Sequence, residues 1–332
     1  MMRRVILNAP FEVETADAPE PAPGPDEFLV RAVATGISPG TEMMWYDGTN
    51  PGLRSGRVRY PFCPGYEHAG LVTEIGKNVT KVKKGDRVVS LLPHTEYGAL
   101  SEGAAYAVLP EEMEAEGAVF CALGGTAVNA VHRAGVQLGE KAVVIGLGVL
   151  GTCVGQAARA GGASTVIGVE LSAWRRRHAC ECGFDLALDP RKDDVRGAVE
   201  EATEGAGVDV AFEAAGAGAN AVSDAMRLVR EGGRVVVCGF QTKPFTIDGE
   251  VFWDREVSIV PVHAMGEDRV PAGKWLRWDM RGNFLAAWRL IGEGRLTAGR
   301  TITHRYRAEE VRDAYEMIRA RREDFFQVIL TW

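Results

Sequence analysis

The chain has 332 residues, 25% charged and 46% hydrophobic, with a formal net charge of −7. That length exceeds one ordinary core and predicts two domains, and the acidic balance excludes a nucleic-acid-binding surface. The apolar stretch at the start is too short for a signal peptide and no run reaches membrane-spanning length, so a membrane is not an expected partner and the cytosol is the expected compartment.

Through about residue 110, short β-like runs (RRVILNA, EFLVRAVATGI, HAGLVTEIG, DRVVSLL, AAYAVLP) are separated by glycine and proline. Period-two alternation with this breaker spacing predicts a compact β-barrel-like domain rather than βαβ units. Near residue 118 the pattern changes, and AVFCALGGTAVNAVHRAG predicts a helical connection. Residues 142–170, AVVIGLGVLGTCVGQAARAGGASTVIGVE, then read as an apolar strand, three glycines, a helix and a second strand ending in an acid. This is the pattern of a dinucleotide site. Gly146 permits the tight turn, Gly148 lets backbone amides approach a pyrophosphate, and Gly151 lets the helix pack on the sheet. Val149 and Leu150 open that helix, whose unpaired N–H groups face the anion. Glu170 stands where a carboxylate accepts both adenosine ribose hydroxyls and repels a 2′-phosphate, so NAD is expected over NADP.

Further strands follow at VDVAFEAAG (208–216), at GGRVVVCGF (232–240) and at EVSIVPVHA (256–264), where Pro261 argues for an edge or a strand end. NFLAAWRLIGEGRL reads as an amphipathic helix with a glycine stop, TITHRY as a strand, AEEVRDAYEMIRA as a helix and FFQVILTW as a strand. This tail is too small for a third core, so it is predicted to rejoin the first domain. The expected division is 1–121 with 266–332, and 122–265 for the nucleotide domain, with substrate in a cleft between them. The six cysteines, at 63, 121, 153, 180, 182 and 238, show no paired CxxC knuckles and read as reduced thiols.

Several motifs together resemble the medium-chain dehydrogenase/reductase superfamily over essentially the whole chain. They are GISPGTE at 36–42, PGYEHAG at 64–70, KVKKGDRVV at 81–89, the pair Thr126–Ala127, the nucleotide fingerprint, DVAFEAAG at 209–216, GGRVVVCG at 232–239 and LIGEGRL at 290–296. The resemblance implies a GroES-like β-barrel catalytic domain formed by both chain ends and a central α/β Rossmann domain. It also implies a homodimer through an edge strand, here around Val257–Val262. GISPGTE and PGYE resemble more narrowly the dehydrogenases that oxidise the hydroxyethyl side chain of bacteriochlorophyllide. That implies oxidation of a secondary alcohol or reduction of its ketone, without identifying a pigment as substrate.

The zinc-dependent branch of the family places Cys in the first motif, His-Glu in the second and a third ligand before the cofactor domain. Here those positions hold Ser38 or Pro39, Tyr66 and Ala122, with Cys121 adjacent, and only Glu67 survives. Residues 90–104 run straight through where relatives carry closely spaced cysteines for structural zinc, so no metal is expected. A rearranged site from Cys63, Glu67, His94 or Cys121 remains the alternative.

Without zinc, other groups must take the hydroxyl proton and stabilise the developing alkoxide. By the resemblance, Thr41 supplies the hydroxyl that touches substrate oxygen. Tyr66 either points its phenol into the vacated position and donates to a carbonyl oxygen, or fills the void with its hydroxyl on Glu67. Glu67 orients Tyr66 or takes a proton, or else anchors backbone or an arginine. The family's relay histidine position is Met44, so His94, beside Glu96 and Tyr97, is the expected proton shuttle, with loop bracing as its alternative. His68 is expected on the opposite face of its strand.

In the nucleotide domain, the resemblance adds Thr126, and Arg175 packing on the ribose. It also adds Cys238, Gly239 and Phe240 bordering nicotinamide, and His263 near the carboxamide. A basic residue of relatives near the C-terminus falls on Gln327, leaving Glu67 without a cation. Trp45, Tyr46, Trp253, Trp275 and Trp278 are candidates for an aromatic substrate wall, and EDRVPAGKWLRWDMRGN for a lid or dimer arm. The expected function is an NAD-dependent oxidoreductase acting on a small secondary alcohol or ketone without catalytic zinc. The alternatives are an enoyl or quinone reductase and a noncatalytic NAD(H)-binding protein.

Overall fold

The computed structural model describes residues 1–216, 220–241, 244–266, 278–320 and 325–332, and divides the chain into Met1–Ala122 with Gly299–Trp332 and Leu123–Ala298. In the first unit, β1 (Met2–Ala9) and β2 (Glu12–Ala18) form an antiparallel hairpin. β3 (Glu27–Ile37) leads into α1 (Pro39–Tyr46) and the single turn α2 (Pro51–Arg54), and then come β4 (Glu67–Ile75), β5 (Arg87–Ser90), β6 (Tyr97–Ser101) and β7 (Tyr106–Val108).

The 11-residue β3 organises this unit. Its first half pairs with β6, and β4 runs antiparallel along it with Gly36 opposite Glu67. The register then passes to β5, with His68 opposite Ser90, and on to β7. This branching sheet is the GroES-like architecture.

The second unit follows through α3 (Cys121–Ala134), β8 (Lys141–Ile145), α4 (Val149–Gly161), β9 (Thr165–Val169), α5 (Ala173–Glu181) and β10 (Leu186–Leu188). It continues with α6 (Val195–Ala202), β11 (Val208–Glu213), α7 (Ala221–Leu228), β12 (Val229–Val237), α8 (Gly249–Asp254), β13 (Ser258–Pro261) and α9 (Met280–Gly292). Its six strands lie parallel in the order β10-β9-β8-β11-β12-β13, a Rossmann sheet. KAVVI of β8 shows no alternation because a central parallel strand is covered on both faces, and Ala142, Val143 and Val144 are all fully buried. β13 ends the order, as Pro261 suggested.

The chain then returns to the first unit through β14 (Ile302–Arg307), α10 (Val311–Ala320) and β15 (Gln327–Thr331). β15 pairs antiparallel with the second half of β3, and β14 lies parallel to β15. α10 buries Val311, Ala314, Tyr315 and Ile318, the spacing of one helical face, against Val5, Leu7 and Val328.

The expected return to the first domain at residue 266 needs correction, because residues 278–298 belong to the second unit. α9 buries Phe284, Ala287 and Ile291, and the Ala287 and Ile291 side chains fill the space beside Gly124 of α3. Asn283 donates to the Met265 carbonyl at 2.8 Å and meets His132 at 3.0 Å, tying α9 to the segment after β13 and to α3. An amphipathic stripe announces a helix but not which core covers it. Among the described residues no helix is long and apolar enough to cross a membrane, and none of the cysteines forms a disulfide.

Candidate active site

The nucleotide motif takes its shape at the carboxyl ends of β8 and β9. Gly146 has φ +90°, and a Cβ there would lie 2.7 Å from the Ala215 amide nitrogen, so only glycine fits this turn. At Gly151 a Cβ would stand 1.8 Å from the Gly146 carbonyl oxygen, which is how α4 starts directly under the turn. Gly148 is the N-cap, with no side-chain capping bond, and space is open beside it. The first-turn amides, beginning at Val149 and Leu150, therefore present an anion cradle.

Glu170 follows β9 and accepts from the amides of Leu147 and Ser172, both at 2.9 Å. Arg175 Nη1 lies 4.0 Å from its Oε2, so the sequence-predicted acid, base and glycines gather at one end of the sheet. This arrangement fits the adenosine and pyrophosphate parts of a dinucleotide.

A second part of the site was missed in the sequence. Glu213, which ends β11, is fully buried and accepts from Gly216 N and from Gln241 Nε2, each at 2.7 Å. Its carbonyl receives the amides of Cys238 and Gly239 at 2.9 and 2.7 Å, and burial holds its carboxyl above the ordinary range. Glu213 thereby shapes the loop bearing Cys238, Gly239 and the exposed Phe240. The available signal was an acid closing an apolar strand in DVAFE, the same pattern that marks Glu170 in TVIGVE. Cys238 donates to the Glu213 carbonyl at 3.1 Å, and burial raises its thiol pKa. His263 lies exposed just beyond β13, and Thr126 is buried on α3.

In the first unit, β3 delivers the chain to Ser38, the N-cap of α1, with Pro39 opening the helix. The Tyr66 hydroxyl donates to Ser38 Oγ at 2.5 Å and lies 3.3 Å from Thr41 Oγ1, which joins three hydroxyls in one cluster. The phenol is thus bonded to hydroxyls rather than to Glu67, and burial and then the Glu67 charge raise its pKa. Trp45 stands edge-on to Tyr66 at 6.4 Å and to Phe62 at 5.5 Å.

Glu67 is fully buried. Its Oε2 accepts from Gln327 Nε2 at 3.3 Å, while Oε1 has no hydrogen-bond partner among the described residues. Burial, reinforced by the Glu42 carboxylate and opposed by the Gln327 bond, pushes Glu67 up to about 8. His68 points elsewhere, with Nδ1 3.2 Å from Ser90 Oγ, and burial lowers it to about 3.

His94 is the residue expected to shuttle protons. It is fully buried, with Nε2 2.9 Å from Glu42 Oε2 and Nδ1 2.8 Å from Thr35 Oγ1. Both ring nitrogens are engaged by Thr35 and Glu42 rather than directly by the hydroxyls of the Tyr66 cluster. Of the proposed aromatic wall, Tyr46 is core, Trp253 is exposed and Trp278 stacks on His132. Trp275 and most of the proposed lid, residues 267–277, lie outside the described residues.

The residues at the three family ligand positions do not fit a catalytic zinc. Ser38 and Tyr66 are neutral hydroxyls bonded to each other, and Ala122 has no donor atom. Among the described residues no group of three or more His, Cys, Asp or Glu side chains is placed to hold a metal ion.

Comparison with known proteins agrees with both units. Residues 24–135 match the alcohol dehydrogenase GroES-like domain, and residues 149–277 match the family described as zinc-binding dehydrogenase. The chain is 29% identical to L-threonine 3-dehydrogenase of Thermococcus kodakarensis, covering 96% of this chain and 95% of the relative. It is 26% identical to sorbitol dehydrogenase of Halalkalibacterium halodurans, covering 95% and 94%. The crystal structure of 2R,3R-butanediol dehydrogenase from Bacillus subtilis superimposes with a TM-score of 0.84 at 22% identity, covering all of both chains. The chain belongs to the medium-chain dehydrogenase/reductase superfamily and is an oxidoreductase of the alcohol dehydrogenase type.

Proposed function

We propose that this protein is an NAD-dependent oxidoreductase acting on a secondary alcohol or its ketone, with substrate oxygen held by hydroxyl groups instead of zinc. The observation that carries this reading is the Tyr66 hydroxyl, at a family ligand position, bonded to Ser38 and within 3.3 Å of Thr41. Bound nicotinamide supplies the hydride acceptor or donor. Tyr66, with its pKa raised, stays a neutral donor at neutral pH. Three clustered hydroxyls carry three hydrogens, so one can turn to the substrate oxygen while the others hold the phenol. Such donation stabilises the negative charge that develops as a carbonyl is reduced.

Glu170 supports NAD over NADP, and relatives named for L-threonine, sorbitol and butanediol support an alcohol or its carbonyl partner as substrate. The place of β13 at the end of the sheet, with no further strand beside it among the described residues, supports a homodimer that extends the sheet.

The test is Tyr66→Phe, assayed with NADH and NADPH against ketones and with the oxidised cofactors against secondary alcohols. Turnover should fall about 10²-fold with NADH affinity unchanged. An unaltered chemical step removes Tyr66 from the reaction, and hydride transfer only to conjugated enones replaces the reading with an enoyl reductase.

A further inference from the structure

Behind the hydroxyl cluster lies a buried polar chain that the reaction itself does not use. Trp332 Nε1 donates to Thr35 Oγ1 at 3.1 Å, and Thr35 Oγ1 is 2.8 Å from His94 Nδ1. His94 Nε2 is 2.9 Å from Glu42 Oε2, which also receives the Tyr315 hydroxyl at 2.5 Å. The other Glu42 oxygen accepts the Ser38 amide at 2.8 Å. Thr35, Glu42, His94 and Tyr315 are all completely buried.

The two ends of this chain fix its direction, because an indole N–H and a backbone N–H can only donate. One assignment then gives every polar hydrogen an acceptor with Glu42 alone charged. Trp332 donates to Thr35, Thr35 donates to His94 Nδ1, and a neutral His94 donates from Nε2 to Glu42, beside Tyr315 and the Ser38 amide. A doubly protonated imidazole would turn the Thr35 hydrogen away, and among the described residues no other acceptor meets Thr35 Oγ1.

We infer that His94 is a positioning residue, held as the neutral Nε2–H tautomer, that fixes Glu42 and through it the start of α1. Ser38 joins the two networks. Its amide is held by Glu42 while its hydroxyl takes the Tyr66 phenol, so a displaced Glu42 carboxylate would move the cluster that meets substrate oxygen. The chain also ties that cluster to α10 through Tyr315 and to Trp332 beyond β15. The consequence for catalysis rests on the proposed function; the tautomer and the chain of bonds do not.

The experiment compares His94→Gln with His94→Leu and adds ring ¹⁵N NMR of the wild-type protein at neutral pH. Glutamine carries a carbonyl acceptor and an NH2 donor group on the same arm, so it can bridge Thr35 and Glu42 but cannot exchange protons as imidazole does. His94→Gln should keep kcat within about threefold of wild type, and His94→Leu should lose about 10²-fold in kcat with KM for NADH unchanged. If His94→Leu does not fold, Trp332→Phe, which deletes one indole donor, should lower kcat several-fold without altering KM for NADH. The His94 ring should show a protonated Nε2 and an unprotonated Nδ1.

Equal losses in His94→Gln and His94→Leu, with folding and NADH binding intact, would overturn the inference in favour of proton transfer. A ring protonated on Nδ1 would overturn it as well. The NMR signal needs no turnover, so the expected tautomer in a protein inactive on every alcohol and ketone would sustain the chain and defeat the proposed function.

Discussion

Glu67 sits in an unusual setting for a buried carboxyl. A fully buried carboxyl normally finds a cation, yet Gln327 offers only an amide and Oε1 has no hydrogen-bond partner among the described residues. Burial therefore keeps Glu67 protonated until about pH 8. Because the folded protein holds this proton more tightly than the unfolded chain, the contribution to stability is full below the ordinary carboxyl range. It is lost as pH rises toward 8. Relative to wild type, Glu67→Gln should gain on the order of 2–4 kcal/mol of stability between pH 5 and pH 9, measured by denaturant unfolding at each pH. A difference that stays flat or falls would show Glu67 to be ionised throughout. At this scale the turn itself was legible, because Gly146, Gly151 and Glu170 each answer a local demand of its geometry. The setting of His94 was not, because its partners Thr35 and Glu42 are distant in sequence and nothing local announces them. Glu42 left a fainter trace, an acid four residues after an N-cap serine.

Among elements, α4 carries the sharpest constraint. The Gly146 carbonyl leaves no room for a Cβ at position 151, so Gly151→Ala must push the helix away from the turn. That displacement should weaken NADH binding about tenfold or more and cost about 1–3 kcal/mol in stability, read by fluorescence titration and thermal unfolding. Wild-type NADH affinity in this variant would show that the cradle does not depend on the close start of α4. Strands with dense apolar content, such as β3, β8 and β11, were legible from composition. β2, with only Val13 and terminal Ala18 buried in EVETADA, was not, because those two are five residues apart and make no period-two apolar row. α9 was legible as a helix but not as part of the second unit, since its apolar face would suit either core.

For the whole molecule, the two-unit plan with a returning tail follows from the β15–β3 pairing, which makes the last strand a neighbour of the strand that delivers Ser38. If the proposed homodimer extends the sheet through β13, Ile259→Lys on that edge strand should shift sedimentation toward monomer, and an unchanged distribution would place any interface elsewhere. The central claim is that hydroxyls from Ser38, Thr41 and Tyr66 do the work that zinc does in other members of the family. Its most direct test is the single-turnover rate of NADH oxidation with a reactive ketone, using protein stripped of metal by a chelator and then supplied with one equivalent of zinc. The account predicts the same rate before and after zinc. A stripped protein that is inert, with the rate restored by stoichiometric zinc, would contradict it.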